Sequence, residues 1–439
     1  MPVNESEERL LNFTKKTFLS MWSHSNIFYK KGKEFCDVMV VFGNDVIIMS
    51  DKLINYNIEI DEKIAWNRWY KSAIESSIKQ LNGAYNHINS YPDNLYTDAQ
   101  ATEPFSMELP HSDEICIHLI AIANGCSNAC YRKHGRYGLN IDTACTGKDT
   151  LFTIGIPTRK FVHIFNDSSL DKIFTCLDTT RDFIDYIQAR ENLLTTSDKH
   201  IKIYGEEELL AAWMLSQPGN APFHMPYELF RTADDIYHIG PGLWEQYNSD
   251  ENQRIRHETR QNSYTIDNLI DHIHTEYENQ SLIIGQDESI NYHERAFRLL
   301  ASESRLGRQL ISMPLIEVAQ EDPRFFWANI VESNDFPGLL YLWLIYPEIP
   351  EDVSDDIVLN ILFSQLSKYL LVAQSKFRDM KIIFGACLPN IQSSRRDRLF
   401  IVNDASHWNE EMQKLAIEYE KNEGILANIT STKNFSIRA

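Results

Sequence analysis

Between Gly32 and Lys52 the chain reads Gly-Lys-Glu-Phe-Cys-Asp-Val-Met-Val-Val-Phe-Gly-Asn-Asp-Val-Ile-Ile-Met-Ser-Asp-Lys, and no other segment restricts the possible fold so tightly. Phe35 to Phe42 and Val46 to Met49 are β-branched-rich apolar runs separated only by Gly43-Asn44-Asp45. Such runs favour extended backbone, and the short polar interval is a turn signal, so the segment predicts a strand–turn–strand hairpin. Before it, Glu7 to Trp22 places Leu10, Leu11, Phe13, Phe18, Leu19 and Trp22 on a usable helical stripe. After it, Glu62 to Ile88 carries Trp66, Trp69, Tyr70, Ala73, Ile74, Ile78, Leu81, Ala84, Tyr85 and Ile88 along one face, which predicts a long amphipathic helix.

A loop rich in Pro, Asp and Asn (90–113) then leads into Glu114 to Ala123, an apolar run suited to a buried strand. Lys160 to Phe165 predicts another strand, and Leu170 to Leu194 and Gly205 to Leu215 predict helices. The order helix, hairpin, helix, strand describes an α/β core. Residues 216–310 read as helix-rich and polar, with a loop through His224, Pro226 and Gly240-Pro241-Gly242. Beyond them the α/β pattern returns: a helix over 357–377, strands over 381–388 and 398–402, and a helix over 408–419. We therefore expect two domains, 1–200 and 201–439, the second helix-rich α/β.

Composition narrows the class of function. With 42 Lys+Arg against 62 Asp+Glu the formal charge is −20, which argues against broad coating of nucleic acid, because phosphate binding depends on Lys and Arg. A local basic site is not excluded, and Arg132, Lys133, His134 and Arg136 with Tyr137 supply one that could contact phosphates. Hydrophobic content of 43% and aromatic content of 11% exclude wholesale disorder. Seven scattered cysteines and an acidic start without an apolar signal region point to a reducing cytoplasm. The most apolar stretch, Gly338 to Tyr346, lies between Pro337 and Pro347 and falls far short of a membrane span of about 20 residues.

The chemistry concentrates on the hairpin. Side chains alternate along a strand, so Ser50 and Lys52 project together while Asp51 points the other way. Asp37 lies near the start of the preceding strand, beside the far end of the second. Carboxylates next to a lysine at such a sheet edge can hold a divalent metal and orient a water, while the lysine offsets charge on a phosphate.

In this arrangement the sequence resembles the PD-(D/E)XK nuclease superfamily, which includes the restriction endonucleases. The resemblance covers roughly residues 5–125. It implies a restriction-endonuclease-like N-terminal core, a metal-binding role for Asp37 and a catalytic role for Lys52, with Gln80 matching a glutamine found on the helix after the hairpin in several branches. Glu34 is an additional candidate acid and metal ligand, and the first-helix glutamate is Glu7 or Glu8. The sequence departs from the pattern twice. The acid expected two residues before Lys52 is Ser50, and the tyrosine of the glutamine-x-x-x-tyrosine version stands one residue too far on, at Tyr85. Either Glu34 has taken over the missing charge or the site is degenerate.

The resemblance further implies a Mg²⁺ (or Mn²⁺) cofactor, nucleic acid as substrate, DNA in the first instance, and a setting in bacterial antiviral defence. Segments such as Phe161-Val-His-Ile-Phe and Leu177-Asp-Thr-Thr-Arg-Asp-Phe look similar to bacterial nuclease-like proteins of mobile defence loci. Arg132, Lys133 and Arg136 are then the candidate substrate contacts, residues 201–439 a recognition or partner-binding region, and a protein partner or homo-oligomer is expected. The alternative is a nuclease fold retained as a binding or assembly subunit. Two further patterns were weighed. Cys126, Cys130 and His134 with Cys145 could serve zinc, but their spacing reads better as one helix face with small buried cysteines. Arg395, Arg396 and Arg398 read as an exposed turn before a strand.

Overall fold

Helix α1 (Glu5–Trp22) buries Leu10, Phe18, Met21 and Trp22 and runs directly into strand β1 (Ser23–Lys30). We describe the protein from a computed structural model, covering residues 5–145, 147–157, 159–197, 199–215, 231–233, 236–251, 258 and 260–429. The two apolar runs become β2 (Lys33–Phe42) and β3 (Asp45–Leu53), antiparallel, with Val38 opposite Met49 and Phe42 opposite Asp45. Asp45 therefore belongs to the strand, and the turn is only Gly43-Asn44. Gly43 adopts φ +58°, a conformation that a side chain would strain and that a two-residue hairpin turn requires.

β1 is absent from the sequence reading, for a physical reason. Ser-His-Ser-Asn-Ile-Phe-Tyr-Lys has no clean two-residue alternation, and β1 is an edge strand whose register to β2 shifts at Ile27/Phe28 and Phe28/Lys30. The long helix forms as expected but in three parts: α2 (Glu62–Tyr70), a π turn (Lys71–Glu75) and α3 (Ser76–Ser90). Its apolar face buries Trp66, Trp69, Ala73, Ile74, Leu81, Ala84 and Ile88, and Asp61 caps its start by accepting from the Lys63 and Ile64 N–H groups.

β4 (Cys116–Asn124) lies parallel to β3, with Asp45 beside Cys116 and Lys52 beside Ala123. α4 (Ser127–His134) follows, and β7 (His163–Phe165) extends the sheet to the order β1-β2-β3-β4-β7. A second sheet joins β6 (Thr153–Ile154), β5 (Asn140–Asp142), β8 (His200–Ile203), β10 (Ile236–Ile239) and β9 (Arg231–Ala233) in that order. These strands are too short to give a periodic signal. The helix expected over 170–194 is divided into α5 (Asp167–Cys176) and α6 (Thr180–Thr196), because Thr179 caps α6 by accepting from the Asp182 N–H. Arg190 of α6 is buried and forked onto Glu206 at the start of α7 (Glu206–Leu215). α8 (Leu243–Ser249) follows β10. His224 and Pro226 lie outside the described residues.

The chain divides into two compact units, Met1–His257 and Glu258–Ala439. The second holds α9 (Tyr264–Glu278), α10 (Ile290–Ala301), α11 (Arg305–Ala319), β11 (Trp327–Glu332), β12 (Leu339–Tyr346), α12 (Asp355–Lys376), β13 (Ile382–Pro389), β14 (Leu399–Asp404) and α13 (Glu410–Glu423). Its sheet runs β11-β12-β13-β14, with only β12 and β13 parallel, and α12 makes the crossover between them. All eight residues of β12 are buried, which accounts for the unbroken apolar run Leu339–Tyr346. α12 is the one helix among the described residues long and apolar enough to cross a membrane by length and composition. Its Val358, Leu362, Leu366 and Leu370 instead pack into the core with Leu340, Leu342 and Ile383.

Candidate functional site

The far end of the β2–β3 hairpin gathers most of the residues singled out from the sequence. Asp37 and Ser50 come from adjacent strands, and the Asp51 backbone N–H donates to Asp37 Oδ2 at 2.5 Å. Ser50 is buried and faces α3, where its hydroxyl lies 3.2 Å from Gln80 Oε1 and 3.4 Å from Ser77 Oγ. Gln80 therefore reaches the hairpin as expected, and what it meets there is a hydroxyl where the family pattern has a carboxylate. Across the sheet, α1 supplies Glu7, which shares a small recess with Glu34, Asp37 and Asn26. Glu8 is exposed and does not line that recess.

Three carboxyls of this end are held above their ordinary values. Asp37 is raised by burial and by Glu7, against Lys52, the Asp51 N–H and Ser50, which lower it. Glu34 is raised by partial removal from water and by the negative charges of Asp37 and Glu7, with Lys52 opposing. Asp51 is pushed up to about 6, chiefly by burial and further by Asp37 and Glu7. All three carboxyls feel the charge of Lys52, which is half-buried. Asp37 and Glu7 thus make ionisation of Glu34 and Asp51 harder, Glu7 does the same to Asp37, and Lys52 works against all three shifts.

Asp51 is the participant that alternation hides. Its side chain does point away from Ser50 and Lys52, as expected, but it is buried in a polar set on the α1 side. Asp51 accepts from the Ser6 hydroxyl at 2.5 Å and from Asn124 Nδ2 at 2.7 Å, and Asn124 also donates to Ser6 at 2.8 Å. A second small recess there is lined by Ser6, Arg9, Asp51, Asn124, Asp167 and Asp171, with Arg9 ion-paired to Asp171.

The candidate substrate contacts lie at the last turn of α4 and just beyond it, and α4 begins directly after the end of β4 beside which Lys52 stands. Arg132 is exposed. Lys133 pairs with Glu62 at 2.8 Å, and Arg136 donates to Asn140 Oδ1 at 3.3 Å while stacking over Tyr204. Tyr131 and Tyr137 stack on each other nearby with centroids 4.7 Å apart, both exposed. Cys126 and Cys130 are buried with their sulfurs 3.9 Å apart, and burial drives the Cys126 thiol well above its usual range. The arginine run before β14 is not an exposed turn: Arg395 is buried, forked onto Asp397 and paired with Asp355, and Arg398 pairs with Glu276 at 2.8 Å.

Among the described residues, the metal-ligating side chains drawn closest together are not on this hairpin end. Asp45, Cys116 and His118 place one ligand atom each within 4.8 Å of the others, at the opposite end of β3. The second unit offers a different kind of feature, a cleft of about 430 Å3 lined mainly by apolar residues of α9, α11 and the ends of β12 and β13, with His272 and Arg398 at its polar side.

No protein-family model matches the chain, and neither the curated proteins nor the solved structures returned a match.

Proposed function

We propose that the chain is a metal-dependent nuclease of the PD-(D/E)XK type, hydrolysing phosphodiester bonds of DNA in bacterial defence against foreign genomes. One observation carries this reading: Glu7, Glu34 and Asp37 line one recess at the hairpin end, and the Glu34 and Asp37 carboxyls are both raised there, with Lys52 opposing the rise. Like charges brought together without matching cations cost stability, and a hard divalent cation among them would relieve that cost. The element order supports it, since α1, the β2–β3 hairpin, α3 and β4 follow the order that the resemblance implies, with β1 added at the edge.

The donor set suits Mg²⁺ or Mn²⁺. Asp37 and Glu34 offer hard oxygen ligands, and Mg²⁺ needs only one or two carboxylates beside waters and substrate phosphates. Such an ion supplies Lewis acidity at a phosphate oxygen and a more acidic bound water. Lys52 offsets the charge that develops on the phosphate, and the electrostatic attraction of the surrounding acids keeps its ammonium at the site. Gln80, hydrogen-bonded to Ser50, orients water or substrate, and Glu7 is the α1 acid of the set. Arg132, Lys133, Arg136 and the Tyr131–Tyr137 stack receive the nucleic-acid backbone, giving the local positive charge that a chain of formal charge −20 otherwise lacks. That balance favours action in the cytoplasm within an assembly, through a protein partner or a second copy, over a free-running enzyme.

The test is Mg²⁺-dependent cleavage of duplex and single-stranded DNA and RNA by the wild type, Asp37→Ala and Lys52→Ala, with thermal melting to verify folding. We expect each variant to lose about 10²-fold or more of the wild-type rate. Equal rates for all three proteins would remove the assignment. A second reading, a nuclease fold kept as a binding subunit, is favoured by Ser50 alone, whose hydroxyl is engaged with Gln80. Failure of Mn²⁺ at millimolar concentration to shift the melting of the wild type would select that second reading.

A further inference from the structure

β3 carries chemistry at both ends. Lys52 lies near its end and Asp45 at its start, seven residues apart, so the two sites are separated by about 23 Å of extended chain. The parallel register pairs Asp45 with Cys116 and Ile47 with His118, so Asp45, Cys116 and His118 share one face of two neighbouring strands. His118 Nε2 is 2.7 Å from Asp45 Oδ1, and the three ligand atoms all lie within 4.8 Å of one another.

We propose that Asp45, Cys116 and His118 bind a Zn²⁺-class transition-metal ion, independent of the carboxylate–lysine site. The donors are one sulfur, one imidazole nitrogen and one carboxylate oxygen, a set that selects a borderline ion over Mg²⁺ because thiolate is a soft ligand. Bonds of about 2.0–2.3 Å in tetrahedral geometry put ligand atoms roughly 3.5 Å apart. The close Asp45–His118 pair must therefore open by under about 1 Å, and the wider separations must close by at most about 1.3 Å, movements within side-chain reach. Three protein ligands leave the fourth position for water.

The surroundings favour the assignment. Gln188 of α6 donates to Asp45 Oδ1 at 3.4 Å, the outer contact that orients a ligating carboxylate. His118 is buried while Cys116 is exposed, so the site has both a fixed ligand and an entry path. Bound there, the ion joins the starts of two parallel strands that are 71 residues apart in sequence for Asp45 and Cys116, and it fixes the register on which Lys52 and Asn124 depend at the other end.

The experiment uses the full chain, stripped with a chelator and titrated with Co²⁺ in the presence of millimolar Mg²⁺. Thiolate-bound Co²⁺ absorbs in the near ultraviolet through sulfur-to-metal charge transfer, so the band reports a cysteine ligand directly. We expect a saturable band that Zn²⁺ displaces, that Cys116→Ser abolishes, and that His118→Gln weakens by about 10-fold or more in affinity. Cys116 is exposed, so Cys116→Ser tests the site without disturbing the core. Cys126→Ser should leave the band unchanged. Absence of a band at micromolar Co²⁺, survival of the band in Cys116→Ser, or its loss in Cys126→Ser would each overturn the proposal.

Discussion

Each compact unit gathers a cluster of charged groups, buried in the second and partly exposed in the first, and the two clusters are built on opposite principles. In the second unit Asp267 is buried but fully answered: Arg308 Nη1 donates to Oδ1 at 2.5 Å, Arg305 Nη1 donates to Oδ2 at 2.8 Å, and the Arg308 guanidinium also reaches the Ala301 carbonyl. At the hairpin end of the first unit Glu34, Asp37 and Asp51 are all raised, with Lys52 as the cation that opposes the rise. A saturated cluster is a self-sufficient piece of core, whereas an under-compensated one at a partly open sheet end has charge left over for a cation or ligand to answer. That contrast is why the hairpin end, and not the better-formed Asp267 cluster, is the candidate site.

The comparison can be broken most sharply in the second unit. Arg308→Leu leaves part of a buried carboxylate unpaired and should cost about 3–5 kcal/mol in urea unfolding; a loss below about 1 kcal/mol would show that Asp267 is not held as described. Glu303 tests the same unit through pH. It is completely buried against Asp335, accepts from the Tyr341 hydroxyl at 2.8 Å, and is pushed up from 4.5 to about 8, first by burial and then by Asp335. Its folded value lies above its unfolded one, so the stabilisation is complete below about pH 4.5 and is lost as pH rises towards 8. At about 1.4 kcal/mol per unit, that loss is on the order of 5 kcal/mol, and Glu303→Gln should flatten the slope of stability against pH.

At the hairpin end, neutralising an acid should have the opposite sign to removing Arg308. Asp51 is raised from 3.8 to about 6, so its ionisation weakens the folded state as pH rises through that range. Asp51→Asn should therefore raise stability at pH 8 by about 1–2 kcal/mol, the full electrostatic gain being reduced by disturbed contacts with Ser6 and Asn124. Destabilisation at pH 8 would place Asp51 with the structural carboxylates. Millimolar Mn²⁺ should stabilise the wild type by roughly 1–3 kcal/mol through mass action and leave Asp37→Ala unmoved. The smallest effect belongs to the surface. Lys133→Ala breaks an exposed pair with Glu62, so it should change stability by less than about 0.5 kcal/mol, yet reduce the salt dependence of nucleic-acid binding.

Much of the first unit's core was legible because it is written in local periodicity. The runs around Gly43, the apolar face from Trp66 to Ile88 and the apolar segment at 114–123 each announce an element within its own span. Asp37, Ser50 and Lys52 were legible as neighbours because alternation and one hairpin bring them to one sheet end, whereas Gln80, singled out by the resemblance alone, reaches Ser50 through the packing of α3. β1 was not, because an edge strand of mixed polarity carries no alternation. The participation of Asp51 was hidden because its contact with Asp37 is made by the backbone N–H, which no side-chain pattern records. The burial of Arg395 depends on Asp355, 40 residues away, and leaves no trace in the local Ser-Ser-Arg-Arg sequence.

What the sequence determined by itself is therefore the kind of each long element and which residue types meet at the hairpin end: acids, a lysine and a serine. What only the tertiary structure decided is which of the acids meet and what lies at the other end of the same strand. Asp45, Cys116 and His118 became neighbours through the parallel register of β3 and β4, a pairing across a connection of more than sixty residues. Helical and strand periodicity are local properties of the backbone, but parallel register is set by packing on both faces of the sheet, and that information is spread over the whole unit.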